Sequence, residues 1–351
     1  MSSTAVNRIA PVLRALSTDP MTTPAMLDFL ATELAGRVIT HSWAEDTGKA
    51  AVVGFQYLDR IPLTFNLPNL LGIDRSSLGQ RWIILGTPLR FRHTLYGGGA
   101  ALEGVLAKVI GSCRNAGFDG IAVPWVDVDD EIVSPVLDKF DFLSVFYDAD
   151  WYLDVSPENT IDGVLQRLSR TPRRQFVNDR NHFERTGSTI RDWEQADRAF
   201  APHMHAAFMA DHGHNGPELE ETAFDAFADL QGASIRVAIT QDGRPAGFVM
   251  SVSDESTMHV LRWGRPSGPE IGRLYANLGY LDPIAEAART GVHRLWFGKS
   301  AHRFKQLRGF TPVPAKFCFL AFDEVQHEQA RSHAVAADRR ARQRYDELME
   351  L

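Results

Sequence analysis

The stretch that decides the fold is Leu274–Pro312, LYANLGYLDPIAEAARTGVHRLWFGKSAHRFKQLRGFTP. Its apolar residues first recur at helical spacing, and Gly291 then ends the predicted helix. Leu295–Phe297 predicts a buried strand, His302–Leu307 predicts a short helix, and Ala315–Phe322 predicts a final strand. Helices and strands that alternate in this way are typical of a mixed α/β domain.

The first half of the chain repeats this order of elements. The segments AGFDGIAVPWV, LDKFDF and DADWYLDV match TGVHRLWFG, FKQLRGF and PAKFCFLAF in sequence order. Phe142 corresponds to Phe310, and Leu137 stands at the position of Lys305. The shared order of elements predicts a repeat, and the low identity between the halves limits it to a repeat of structure. Because Lys305 has an apolar counterpart in the first half, we expect the second copy to carry the functional site.

We therefore expect an α/β (α+β mixed sheet) protein with tandem domains, each a twisted mixed sheet flanked by helices. The predicted organisation is an N-terminal helical arm (1–44), a first domain (45–155), a second domain (156–322) with an arginine-rich junction helix, and a C-terminal helical tail (323–351). The tail is polar and has no continuous heptad, which predicts a solvated helix.

Composition narrows the function classes. The 351 residues carry 37 Lys and Arg against 44 Asp and Glu, a net charge of −7. A contact with nucleic acid must therefore be a local basic patch, and DNA binding is not expected. The two cysteines are far apart in sequence, which argues against a disulfide framework and a thiolate zinc site. No apolar run is long enough to predict a membrane span, and a cytoplasmic location is the default expectation.

A local basic patch is present in Gln166–Gly187, QRLSRTPRRQFVNDRNHFERTG, which contains six arginines and no lysine. Guanidinium groups bind phosphate oxygens through paired hydrogen bonds. Arg167, Arg170 and Arg174 would share one face of a continuous helix, although Pro172 is expected to restart that helix. The alternatives at this point are a phosphate or polyanion site and a solvated helix paired with acidic neighbours.

Two further segments hold candidate site residues. Gly298-Lys299-Ser300 is not a phosphate loop, because His293 stands where that motif requires glycine. The same segment still offers the cations Lys299, Arg303 and Lys305 after a predicted strand. A group of histidines favours a polar loop over a pocket, and no metal site is expected there; the group is His203, His205, His212 and His214.

Together these pieces resemble the two-domain branch of the GCN5-related N-acetyltransferase (GNAT) superfamily, which includes the Fem ligases that use aminoacyl-tRNA. The resemblance covers roughly residues 45–322 and is carried by SRTPRRQFVNDRNHFERTG, RLYANLGYLDPIAEAARTGVHRLWFG and KQLRGFTPVP. It implies a transferase that passes an acyl group from a carrier to an amine, in a biosynthetic reaction.

The resemblance also implies roles for individual residues. Lys305 matches the lysine that stabilises the oxyanion in Fem-type transfer, with Lys299 as the alternative cation. Tyr275 could protonate a leaving oxygen or sulfur, or could fill the core. Asp282 and Asp254 are possible bases for which structural roles are favoured. We expect substrate binding by Trp263, Asn277, Gly298, Lys299 and His214, and phosphate binding by Arg167, Arg170, Arg173, Arg174 and Arg303.

One loop departs from the family pattern. CoA-dependent acetyltransferases carry (Q/R)xxGx(G/A) at the position of Arg265–Arg273, where Pro269 removes an amide donor and Glu270 adds a negative charge. We therefore expect aminoacyl-tRNA as co-substrate, a small amine or hydroxyl acceptor, and no tightly bound cofactor. The alternatives are an N-acyltransferase that uses acyl-CoA or acyl-carrier protein, and a non-catalytic binding protein.

Overall fold

A computed structural model of the chain describes residues 3–17, 19–33, 38–58, 65–74, 78–87, 92–156, 158–211, 219–268 and 272–350. The strands are β1 (Val38–Ala44), β2 (Ala50–Tyr57), β3 (Trp82–Ile84), β4 (Leu95–Gly97), β5 (Gly120–Asp127), β6 (Leu143–Asp154), β7 (Thr189–Asp192), β8 (Ala233–Ile239), β9 (Pro245–Ser253), β10 (Thr257–Gly264), β11 (Arg294–Trp296) and β12 (Thr311–Ala321).

The helices are α1 (Ser3–Leu16), α2 (Pro24–Glu33), α3 (Leu67–Leu71), α4 (Gly99–Asn115), α5 (Val133–Lys139), α6 (Ile161–Arg167), α7 (Arg170–Glu184), α8 (Ala201–Asp211), α9 (Glu221–Ala228), α10 (Leu274–Ala276), α11 (Asp282–Thr290), α12 (His302–Gln306) and α13 (Glu324–Glu350). A π-helical turn over Asn277–Leu281 separates α10 from α11. The mixed α/β fold class predicted from the sequence is confirmed. The chain divides into two compact units, Met1–Asp150 with Val313–Leu351, and Trp151–Pro312.

The first unit is built on a mixed sheet in the order β1-β2-β3-β5-β12-β6, with β4 paired to β2. Strands β3 and β5 run parallel, whereas β12 lies antiparallel to β5. Helices cover both faces, because the apolar residues of these strands alternate between two cores. Helix α4 contributes Leu102, Val105 and Leu106 to one core. Helix α13 contributes Ala330, Ala334 and Ala337 to the other, so its first half is packed and not merely solvated.

The second unit is built on strands in the order β6-β11-β10-β9-β8-β7, in which the end of β6 pairs with β11. Strands β10 and β11 run parallel, and the other pairs are antiparallel. Phe248 and Val249 are consecutive in β9 and point to opposite faces. Phe224 of α9 packs against Phe248, whereas Phe183 of α7 belongs to the core around Val249.

The division of the chain differs from the predicted boundaries at its C-terminal end. The sequence placed the final strand in the second domain, but β12 hydrogen-bonds along β5, from Ala315 opposite Asp127 to Ala321 opposite Gly120. In the same way β11 pairs with the end of β6, through Leu295 and Leu153. Each half therefore uses the last strand of the other half, a pairing that strand order alone does not reveal. The predicted N-terminal arm also belongs to the first unit, where Leu13 and Leu27 are fully buried.

Candidate functional site

The second unit contains a gap between two parallel strands. Strands β10 and β11 pair only over Thr257–His259 and Arg294–Trp296. Beyond that point β10 continues to Gly264 along β9, with a bulge between Val260 and Arg262, while β11 ends. The carboxyl end of β10 thus has no strand partner on its β11 side within the described residues. Ligands of α/β sheets bind beyond the carboxyl ends of parallel strands, so we take this gap as the candidate site.

The corresponding strands of the first unit stay together. Strands β3 and β5 pair over Trp82–Ile84, and the amide of Leu85 extends the ladder by donating to the carbonyl of Ala122 at 2.7 Å. Gly86 then lies against Pro124, so closely that a Cβ at position 86 would sit 2.5 Å from the proline Cγ. The gap is therefore a feature of the second unit.

Lys305 lies buried beside the turn that follows β11. Its side chain is only 1% exposed, and Nζ donates to the carbonyl oxygens of Phe297, Gly298 and Lys299 at 3.1, 2.6 and 3.1 Å. Three backbone carbonyls of one turn thus converge on a single ammonium group. Because these carbonyls engage the ammonium, a direct contact with an oxyanion would need one of the three bonds to be exchanged.

The helix ends around Lys305 and Leu137 have the same geometry. The amide of Phe310 donates to the carbonyl of Lys305 at 3.1 Å, and the amide of Phe142 donates to the carbonyl of Leu137 at 3.2 Å. The residue before each phenylalanine has a positive φ, +77° at Gly309 and +60° at Asp141. The sequence alignment of the two halves therefore matches their structures here, and a buried lysine replaces a core leucine.

A cluster of aromatic rings connects the end of β10 to the helix that contains Tyr275. The Tyr275 ring lies 5.1 Å from that of Trp263, near the end of β10, and 5.2 Å from that of Phe304 in α12. Its hydroxyl is 2.8 Å from the Tyr280 hydroxyl. The indole Nε1 of Trp263 is buried with no hydrogen-bond partner among the described residues. Two predicted site residues, Tyr275 and Trp263, are therefore brought together by the fold.

A buried polar network joins α7 to the aromatic cluster. Asp179 accepts a hydrogen bond from Arg308, and both side chains are at least 92% buried. The Asn277 amide nitrogen donates to the backbone carbonyls of Asp179 and Arg273, at 3.0 and 2.9 Å. The side-chain amide of Asn277, which is predicted to bind substrate, thus donates its hydrogen bonds to backbone carbonyls. No sequence pattern indicates the Asp179–Arg308 pair, because its members are 129 residues apart.

The arginine-rich helix begins earlier than predicted and separates the arginines into two groups. Helix α7 starts at Arg170, and Pro172 lies in its first turn, where a missing amide hydrogen costs nothing. Arg167 falls in α6 instead, and its guanidinium binds the carbonyls of Val155 and Ser156. Arg180 pairs with Asp162 at 2.9 Å. Arg167 therefore lies in a different helix from the other arginines, and Arg180, two turns beyond Arg173 in α7, already has an acidic partner.

The remaining predicted phosphate-binding arginines are exposed. Within the described part of the chain none of them pairs with an acidic side chain; they are Arg170, Arg173, Arg174 and Arg303. The turn after α12 lies against the start of α7, because a Cβ at Gly309 would sit 3.5 Å from Pro172. This turn also follows Lys305, so the start of α7 is adjacent to the end of the short helix that carries Lys305. We call Arg170, Arg173, Arg174 and Arg303 the arginine patch.

The loop that would hold a CoA pyrophosphate is only partly described, since residues 269–271, including Pro269 and Glu270, lie outside the described ranges. In the described part Arg265 folds back on its own loop and donates to the carbonyls of Pro266 and Gly268, at 2.8 and 2.9 Å. It also pairs with Asp211 at 3.3 Å. The Arg265 guanidinium is thus already engaged by its own loop and by Asp211 of α8.

The histidine group is spread over different environments. His203 is exposed, and His205 is 3% exposed with both ring nitrogens unpaired among the described residues. Burial, and then the charge of Arg262, lower the pKa of His205 to about 3. His212 and His214 lie outside the described residues. Within the described ranges, no three His, Cys, Asp or Glu side chains are grouped as a metal site would require.

The other candidate acids, bases and nucleophiles have structural surroundings. Asp282 binds Arg236 through both oxygens, at 2.9 and 3.1 Å. Asp254 accepts from the amides of Ser256 and Thr257, at 2.6 and 2.7 Å, and so closes a turn. Burial raises the pKa of both cysteine thiols to about 12, which suppresses the reactive thiolate. Asp282 and Asp254 are thus both engaged by groups of the surrounding fold.

Comparison with known proteins identifies the family. Residues 100–351 match the model of the FemAB-like family, described as peptidoglycan biosynthesis/recognition. No curated protein sequence matches the chain. No helix of the described residues is both long enough and apolar enough to cross a membrane.

Solved structures share the fold at low identity. The C-terminal domain of a putative lysylphosphatidylglycerol synthetase from Agrobacterium fabrum is 11% identical, with a TM-score of 0.61 over 95% of this chain and 97% of that one. L-PGS from Bacillus licheniformis is 11% identical, with a TM-score of 0.59 over 93% and 96%. FemX is 10% identical, with a TM-score of 0.58 over 89% and 95%. The family match covers most of the chain, and we conclude that this protein belongs to the FemAB-like family, as its resemblance to the Fem-type branch predicted.

Proposed function

We propose that this FemAB-like acyltransferase moves an aminoacyl group from aminoacyl-tRNA to a small amine or hydroxyl acceptor, in the gap between β10 and β11. The observation that carries the proposal is the arginine patch beside the gap, on a protein with a net charge of −7. Unpaired guanidinium groups on an acidic protein favour a polyanionic partner at that place. A phosphate chain that contacts the patch would lie next to the short helix that carries Lys305.

The reaction breaks the ester bond of the aminoacyl-tRNA and forms an amide or ester bond to the acceptor. The acceptor nitrogen or oxygen attacks the carbonyl carbon and loses a proton, and the departing ribose oxygen gains one. Negative charge develops on the carbonyl oxygen during the attack. The ammonium of Lys305 holds the turn Phe297–Lys299 in place and adds a positive charge close to the gap. We assign Lys305 two roles: it holds this turn in place, and it stabilises the negative charge on the carbonyl oxygen. The second role needs no direct contact, since a buried charge acts over several ångströms at low dielectric.

Trp263 and Tyr275 supply hydrogen-bond donors on the other side of the gap. The unpaired indole Nε1 of Trp263 costs about 1–3 kcal/mol as long as it has no acceptor. An acyl or acceptor oxygen that binds there would recover this energy. We assign Tyr275 to the leaving oxygen, because its ring contacts both Trp263, near the end of β10, and Phe304, next to Lys305 in α12. Lys299 and Gly298 belong to the turn held by Lys305 and would contact the substrate through that turn.

Equilibrium binding tests the proposal. Purified protein is titrated with bulk charged tRNA and with acetyl-CoA, each at two salt concentrations. Binding of charged tRNA that weakens steeply with salt is expected, because arginine contacts release counterions from phosphates. Acetyl-CoA should cause no thermal stabilisation, whereas a ligand at 100 times its Kd stabilises by about 2.7 kcal/mol. Stabilisation by acetyl-CoA without tRNA binding would contradict the proposal and favour a CoA-dependent acyltransferase.

A further inference from the structure

Helix α8 lies against the carboxyl end of β10, where the gap begins. A Cβ at Gly264, the last residue of β10, would lie only 2.9 Å from the backbone nitrogen of His205. One turn further along α8, the ring of Phe208 meets the ring of Trp263 edge to face, with their centroids 5.6 Å apart. His205 and Phe208 are three residues apart and therefore lie on the same face of α8. This face of α8 covers the last two residues of β10.

Three buried nitrogen atoms lie unpaired at this end of the strand. They are both ring nitrogens of His205 and the indole Nε1 of Trp263, which have no hydrogen-bond partner among the described residues. His205 is 3% exposed and Trp263 is 8% exposed. A buried donor or acceptor that loses water and gains no partner destabilises the fold. Because such groups are rare in native proteins, three of them at one strand end indicate a place for a polar ligand.

Partly exposed side chains surround these buried nitrogens. Phe208 is partly exposed and packs directly on Trp263. Arg262 is also partly exposed, and it lies on the same face of β10 as Gly264, because the two are separated by one residue of regular strand. A small molecule at the carboxyl end of β10 would therefore meet Phe208 and Arg262 first, with the nitrogens of Trp263 and His205 behind them.

The charges at this place favour an anion. Burial, and then the positive charge of Arg262, lower the pKa of His205 to about 3. The imidazole is therefore neutral near pH 7 and offers one N–H donor and one acceptor, while the indole of Trp263 offers a second N–H donor. Among the described residues, Arg262 is the charged residue that acts on His205. A positive charge beside two N–H donors suits a carboxylate and disfavours a second cation.

We propose that His205 and Trp263 bind a carboxylate of the acceptor, with Arg262 supplying positive charge, so that the acceptor is an amino acid. This inference rests on the proposed function and narrows its acceptor from any small amine to an amine that carries a carboxylate. The carboxylate oxygens would accept from the imidazole and indole N–H groups. The amine at the other end of the same molecule would then lie in the gap, where it attacks the acyl carbon.

Two acceptors of nearly equal size test the inference. Glycine and ethanolamine each have one primary amine, but only glycine has a carboxylate. Their KM values are measured with bulk charged tRNA at a fixed concentration, and glycine is expected to have a KM at least about tenfold lower, as for the gain of a hydrogen bond to a charged group. His205→Leu and Trp263→Phe remove the N–H donors and should each abolish this preference by raising the KM for glycine. His203→Leu changes an exposed histidine of the same helix and should keep the preference.

Thermal unfolding separates binding from a structural role. His205→Leu replaces unpaired buried nitrogens by apolar atoms, so its Tm should equal or exceed that of the wild type while its KM for glycine rises. A lower Tm for His205→Leu would show that the imidazole supports the fold, and would overturn the inference.

The kinetic outcomes distinguish the inference from the proposed function. Equal KM values for glycine and ethanolamine in the wild type, or a His205→Leu variant that keeps the preference for glycine, would overturn the inference and leave the proposed function intact. A wild-type protein that transfers an aminoacyl group from charged tRNA to neither acceptor would overturn the proposed function and this inference with it.

Discussion

Replacing three residues of the arginine patch by alanine should reduce the salt dependence of tRNA binding by a definite amount. Arg170, Arg173 and Arg174 are exposed in the first turns of α7, and no described acidic side chain pairs with them. Each guanidinium is thus available to a phosphate oxygen without first breaking an ion pair. Arg167 and Arg180 differ in this respect, since the first binds backbone carbonyls and the second pairs with Asp162.

The size of the effect follows from counterion release. Each phosphate contact contributes about 0.7 to the slope of log K against log salt for a single strand, and about 0.9 for a duplex. The loss of three contacts should therefore lower the slope by roughly 2 to 3. Between roughly 50 and 200 mM salt, this difference corresponds to about 20- to 40-fold in Kd.

The assay is fluorescence anisotropy of labelled charged tRNA at several salt concentrations. The control is the triple variant Arg14→Ala, Arg339→Ala and Arg344→Ala, which removes the same charge from exposed helical positions of the first unit. The control should keep the wild-type slope to within about one contact, or roughly 0.9. Equal reductions in both triple variants would refute the reasoning, because net charge and not the patch would then govern binding.

Three further predictions concern buried groups. Lys305→Met leaves the carbonyls of Phe297, Gly298 and Lys299 without their donor. Urea denaturation should therefore show a loss of about 3 kcal/mol or more in unfolding free energy. A loss below about 1 kcal/mol would mean that the Lys305 ammonium does not hold this turn. The pKa of His205 is lowered to about 3 in the folded protein, so the unfolded chain takes up the proton first and stability should fall below about pH 6.5 by up to 1.4 kcal/mol per pH unit. This dependence should weaken in His205→Gln but not in His203→Gln. Burial raises the pKa of the Cys113 and Cys318 thiols to about 12, so a disulfide reagent at pH 8 should label neither in the native state and both in urea; labelling of the native protein would contradict the packing.

Much of the fold follows from local patterns in the sequence. The apolar runs that became β5, β10 and β11 are continuous or alternating, and glycines such as Gly291 end the helices where positive φ is needed. The exchange of the last strands is different in kind. Ala315 pairs with Asp127 although 188 positions separate them in the printed sequence, and nothing in either strand encodes its partner.

The site could be predicted only in part. Lys305 stands out in the sequence because its counterpart is Leu137, but its backbone carbonyl partners carry no sequence signal. The helix Leu274–Thr290 has an apolar stripe that indicates an ordinary α-helix, so the π turn and the Tyr275–Tyr280 contact were not foreseeable. The arginines of Gln166–Gly187 look equivalent in sequence, and only their surroundings separate Arg167 from Arg173.

The most direct test of the central claim is the transfer reaction itself. Bulk tRNA charged with radiolabelled amino acids is mixed with an excess of the protein and ethanolamine, and the products are identified by mass spectrometry. We expect a labelled aminoacyl-ethanolamine whose formation requires the protein, persists in excess free CoA and is lost in the Arg170, Arg173 and Arg174 triple variant. Acetylation of ethanolamine from acetyl-CoA, with the aminoacyl-tRNA left intact, would contradict it.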